Sequence, residues 1–278
     1  MERLQRWGKW ALQAPDADGR QDFSQTGRGG SLMAWFVTMD SRNRSDENET
    51  YLSPEIEVIP EEQQRFEHVG EGFANQIFAD CRAAGKDPYD HSLVLTEPFF
   101  PYWSPFLFPP PMEGWRWPVP DHPFRDRLKR REGRLVDIIG TSFRTYAVSQ
   151  RVIDIIESIE PGVHQYLPYD LICKDGSVHP DRRWLLNVCT RIQALDLSLS
   201  NVIALKSLLY YFDDKAGNQH LVVKKSAVEG RALWFEYRYW STAGQFLLTD
   251  RFWNALQEAG CAGWRPDSGQ RGAHIEEI

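Results

Sequence analysis

Apolar and polar positions recur along this chain with two different periods, and the change from one to the other marks out its elements. Met33-Ala34-Trp35-Phe36-Val37-Thr38-Met39 is a short apolar run that predicts a first strand, after an arm rich in Gly, Asp, Gln and Ser over residues 11–31. Asp40 to Thr50 is almost wholly polar and predicts an exposed loop. Phe66, Val69, Phe73 and Ile77 then recur at three- and four-residue steps, which lines them along one face of a helix. Pro60-Glu61-Glu62 supplies the proline and the acids that suit the first turn of that helix, where free N–H groups favour negative charge. Ser92-Leu93-Val94-Leu95-Thr96 predicts a short buried strand.

Between Pro98 and Pro123 the periodicity is lost. Prolines interleave with Phe99, Phe100, Tyr102, Trp103, Phe106, Phe108, Trp115 and Trp117. Proline lacks an N–H and constrains its predecessor, so this density of it excludes both helix interior and central strand. The segment is predicted to be extended and irregular, with its aromatic side chains covered either by its own domain or by a partner.

Regular order returns after residue 143. Ser149 is placed to cap a helix whose apolar stripe is Val152, Ile155, Ile156 and Ile159, and Pro161-Gly162 ends it. Val163 to Cys173 and Arg183 to Thr190 predict two strands around a turn at Lys174-Asp175-Gly176-Ser177. Gln219 to Lys225 and Leu233 to Trp240 are further strands. In the second of these Leu233, Phe235, Tyr237 and Tyr239 alternate with Trp234, Glu236, Arg238 and Trp240, which puts Glu236 and Arg238 on the more polar face. Thr249 caps a last helix with Phe252, Ala255, Leu256 and Ala259 inward and Gly260 at its exit. Strands clustered among few helices predict an α+β fold, with a mixed or mainly antiparallel sheet and few flanking helices. Two subdomains are expected, residues 1–130 and 131–278.

Composition narrows the class without naming an activity. The chain has 278 residues, 42% hydrophobic and 13% aromatic, enough for a cooperative globular fold. Its net charge of -7 disfavours a nucleic-acid backbone as partner and suits a basic protein. The one basic cluster, Arg125-Asp126-Arg127-Leu128-Lys129-Arg130-Arg131, reads as a solvated helix face or a linker. No signal-peptide run follows the N-terminal charges, and no stretch approaches the roughly 18 apolar residues that cross a bilayer, so a cytoplasmic protein without membrane contact is expected. Cys81, Cys173, Cys189 and Cys261 are widely spaced and predict buried free thiols.

The sequence offers little catalytic chemistry. Gly27-Arg28-Gly29-Gly30 lacks the Gly-Lys-Ser/Thr ending of a phosphate loop, and no Gly-x-Ser-x-Gly elbow is present. His68, His91, His122, His164, His179, His220 and His274 never take the His-x-x-x-His spacing that puts two ligands on one helix face. No catalytic residue, cofactor or metal site is therefore assigned. A pair of acids distant in sequence that meets in the fold stays open.

One ordered set of segments is more specific. It comprises Ser149 opening a helix, the turn Pro161-Gly162-Val163-His164-Gln165 leading into a strand, and the strand Trp184-Leu185-Leu186-Asn187-Val188. Ala194-Leu195-Asp196 follows, and the set closes with the Thr249-Asp250 helix start and Gly260-Cys261-Ala262-Gly263-Trp264. Over about residues 140–265 this order resembles a bacterial family, long catalogued only as a domain of unknown function, whose members are encoded beside polymorphic toxins as immunity proteins. The resemblance implies neutralisation of a cognate toxin domain by binding, with no cofactor and no reaction; it does not reach the first half of the chain. Ser149, His164, Trp184, Asn187, Asp196, Asp250 and Gly263 are the residues that carry it. Their bland reading is structural: Trp184 fills core, Asn187 satisfies backbone groups at a sheet edge, and Asp196 caps the turn before Leu197. Aromatic anchors for a partner are expected at Trp103, Phe106, Trp115, Trp117 and Trp240, with Glu236 and the acids near Asp46 to Glu49 as polar contacts. An enzyme of unfamiliar fold, a regulatory binding module unrelated to toxins, and a homodimer stay open.

Overall fold

The computed structural model describes residues 34–39, 44–46, 49–52, 55–83, 116–117, 119–129, 134–143, 145–200, 202–205, 209–212, 220–236, 247–266 and 274–277. They belong to a compact unit running from Leu32 to Ile278. The chain begins with β1 (Ala34–Met39), the hairpin of β2 (Arg44–Asp46) and β3 (Glu49–Leu52), and the short β4 (Ile56–Glu57), then α1 (Pro60–Ala83). Next come β5 (Phe124–Leu128), β6 (Arg134–Leu135), β7 (Ile138–Gly140), β8 (Tyr146–Val148) and α2 (Gln150–Ile159). After α2 lie β9 (Gln165–Ile172), β10 (Arg183–Asn187), β11 (Arg191–Ile192), β12 (Val202–Leu205), β13 (Leu209–Phe212), β14 (His220–Val223) and α3 (Lys225–Val228). The last elements are β15 (Leu233–Glu236), β16 (Leu247–Thr249), α4 (Asp250–Glu258), β17 (Trp264–Pro266) and β18 (His274–Glu277).

A six-stranded sheet in the order β4-β5-β9-β10-β8-β7 and a five-stranded sheet in the order β11-β15-β16-β1-β17 organise these elements. Most pairings are antiparallel, while β5 with β9 and β11 with β15 run parallel. The fold is α+β with mixed, mainly antiparallel sheets and few helices, as the clustering of strands predicts. Residue 130 falls between β5 and β6, and strands from either side of it share both large sheets.

Three apolar clusters hold the layers together. Ile138, Val148 and Leu186 on one face of the six-stranded sheet meet Val152, Ile153 and Ile156 of α2, Phe252 and Leu256 of α4, and Leu233 and Leu248 of the five-stranded sheet. The opposite face packs Phe124, Leu167, Tyr169 and Leu185 against Phe66 of α1, Trp117 and Phe143. Trp234 and Leu247 turn to the other side of the five-stranded sheet and join Ala34, Leu195, Leu221 and Val223. Both faces of β15 are thus buried, so its alternation separates two cores instead of a core from solvent.

The two capped helices form as the sequence predicts. Ser149 takes an extended conformation and its hydroxyl accepts from the Val152 N–H at 3.4 Å, while donating to Asp137 Oδ1 at 2.9 Å. Thr249 does the same for α4, accepting from the Phe252 N–H at 3.3 Å. In α1 Phe66 is buried and Val69 half-buried; the side chains of Phe73 and Ile77 lie outside the described residues. Cys173, Cys189 and Cys261 are free and buried.

Two expectations are corrected. The polar stretch Asp40 to Thr50 carries strands β2 and β3, paired Arg44 to Tyr51 and Asp46 to Glu49; a short strand gains its order from the cross-strand ladder and needs no apolar face. The described part of the basic cluster, Arg125 to Lys129, is not a helix. Its first residues form β5, with Phe124, Asp126 and Leu128 buried and Arg125 and Arg127 exposed. The predicted strand Ser92 to Thr96 lies outside the described residues.

Candidate functional site

The most densely bonded polar group of the family-like segments sits where α2 ends. Pro161 cannot continue the helix, and Gly162 at φ 70° turns the chain toward β9, which leaves Glu160 as the C-cap with its carboxylate facing inward. Oε1 accepts from Thr190 Oγ1 at 2.7 Å and from Arg231 Nη1 at 3.0 Å. Oε2 accepts from the Ala232 N–H at 2.9 Å and faces His164 Nε2 at 3.0 Å. The Cys189 N–H donates to His164 Nδ1 at 3.2 Å, which assigns the remaining ring proton to Nε2 and makes the imidazole the fourth donor to Glu160. Burial pushes the Glu160 carboxyl up, but the hydrogen bonds from His164, Ala232 and Thr190 outweigh it and hold the group at about 2.

Chemically this centre is closed. An acid–base pair that acts on a substrate needs a ring nitrogen or a carboxylate oxygen facing the reacting atom. The His164 side chain is 0% exposed and that of Glu160 3%, and both ring nitrogens already have partners. The pair ties the end of α2 to the loop after β10 and to the start of β15.

Glu236 forms a second buried centre. Its carboxylate accepts from the Ala194 N–H at 3.1 Å, the Leu195 N–H at 3.0 Å and Trp234 Nε1 at 3.1 Å. Burial nevertheless raises its carboxyl to about 7, because three neutral donors do not replace the water it has lost. The ionised form is therefore penalised in the fold. The stability contributed by the neutral form is fully present below the ordinary value of 4.5 and is lost as pH rises through about 7. At ~1.36 kcal/mol per pKa unit the span is about 3 kcal/mol. Denaturant unfolding should find the protein more stable at pH 5 than at pH 8, and Glu236→Gln should flatten that slope; a wild type equally stable at both would refute the assignment.

A third network joins the ends of distant segments. Asp137 accepts from Ser149 Oγ, from Arg151 Nη2 at 2.6 Å and from the Ala262 N–H at 3.2 Å, while the Ile138 N–H donates to the Ala262 carbonyl at 3.0 Å. Gly263 follows at φ 124° and lies against Ile138. Nearby, Gln165 clamps the backbone of Trp117, accepting its N–H at 2.7 Å and donating to its carbonyl at 2.6 Å; Asn187 Nδ2 donates to the same Gln165 oxygen at 3.1 Å.

The residues predicted from sequence thus fall into distinct places. Ser149, His164, Asn187 and Gly263 are buried in these networks, Trp184 is half-buried against the first cluster, and Asp250 opens α4. Asp196 accepts from the Ser198 N–H at 3.0 Å and caps its turn as expected. Asn187 instead lies on β10, inside the sheet, and bonds a side chain, not edge backbone. Trp117 is 2% exposed and stacks on Phe66 at 5.3 Å, so within this fold it anchors its own chain. Glu236, expected on a polar face, is 8% exposed. Trp103, Phe106, Trp115, Trp240, Arg238, Glu47 and Asn48 lie outside the described residues. Glu160, Asp137 and Arg231 were not singled out from sequence. Only the position of Glu160 before a helix-ending Pro-Gly hinted at one of them.

The immunity protein family Imm11 matches residues 36–270. The chain belongs to the Imm11 immunity protein family. Membership suggests an immunity-protein role, and the match runs well beyond residues 140–265 to take in most of β1 and all of α1. All three buried networks of this Imm11 chain fall inside the matched residues. No curated protein matches the chain. Among the described residues no His, Cys, Asp and Glu group is arranged to hold a metal ion, and no helix is long and apolar enough to cross a membrane.

Proposed function

We propose that this chain neutralises a cognate toxin domain by binding it, blocking its active site or its substrate entry. The family match over residues 36–270 carries the reading. The chemistry of the interior is consistent with it: Glu160, His164 and Glu236 spend their hydrogen-bonding capacity on the fold itself, which leaves work to be done by the surface. Inhibition of this kind needs shape and charge complementarity, not bond chemistry.

Co-expression tests it. The toxin domain encoded by the neighbouring gene should arrest bacterial growth alone, should be tolerated beside this protein, and should co-purify with it as a stoichiometric complex. Rescue with no complex would point to an enzyme that reverses damage, and absence of rescue would remove the toxin reading.

A further inference from the structure

We draw no further inference here: the strongest candidate, the surface patch on the six-stranded sheet where exposed Pro168 lies opposite half-buried Trp184, is partly packed into the apolar core already described, and nothing in the structure shows what covers it.

Discussion

Replacing Gly263 by alanine is expected to leave little folded protein. Gly263 sits at φ 124°, a conformation that L side chains rarely adopt, in the segment between α4 and β17. A Cβ there would land on the Ile138 carbonyl oxygen, 2.8 Å from its carbon and 2.9 Å from the Ile138 Cβ. Neither side has room to yield, because Ile138 is 1% exposed within β7 and its N–H is bonded to Ala262, one residue before the glycine. Backbone strain and overpacking add, and a loss above about 4 kcal/mol is a large part of what a domain possesses. Gly176→Ala is the matched comparison. Its φ of 83° is also unfavourable, but nothing lies within 4 Å of the added methyl, so a cost of about 1 kcal/mol is expected. Soluble yield and melting temperature separate the two; a Gly263→Ala protein that melts within a few degrees of wild type would contradict the packing.

Glu160→Gln is the second large effect, and its pH dependence identifies the cause. Glutamine keeps one acceptor oxygen where four donors converge, and its amide nitrogen must face a donor, so at neutral pH a loss of about 3–5 kcal/mol is expected. The folded carboxyl lies at about 2 against an ordinary 4.5. Its contribution is therefore fully present above about 4.5 and is lost as pH falls through about 2, a span of about 3 kcal/mol. Urea unfolding at steps between pH 7 and pH 3 should show the gap between wild type and variant narrowing toward the acid end. A gap that stayed constant over that range would assign the damage to packing instead of charge. With Glu236, which favours low pH, the two carboxyls bracket a stability maximum on the acid side of neutrality.

The sequence carried the local signals well. Ser149 and Thr249 cap helices where predicted, because a cap depends on a hydroxyl and the three residues after it. Pro161-Gly162 ends α2, and Asp196 holds its own turn. Readings that depended on distant partners fared differently. Arg125 to Arg131 looks like a charged helix face until β9 lies beside it and buries Asp126, where Ser142 and Tyr169 bond its carboxylate. Glu236 looks solvated until β11 and β16 flank β15 and its surroundings become core. Asp40 to Thr50 looks like loop because polar strands pair through backbone, which composition does not record.

Amphipathic periods, caps and breakers are written within a turn or two of the residues they govern, so the sequence by itself determined the mixed α+β class, both capped helices and the family-like order of segments. The tertiary structure alone decided which polar groups are buried. Glu160 draws its donors from residues 164, 190, 231 and 232, Glu236 from 194, 195 and 234, and Asp137 from 149, 151 and 262. Charge burial is set by what the rest of the chain brings within 3 Å or so of a carboxylate. That neighbourhood exists only after strands far apart in sequence have paired.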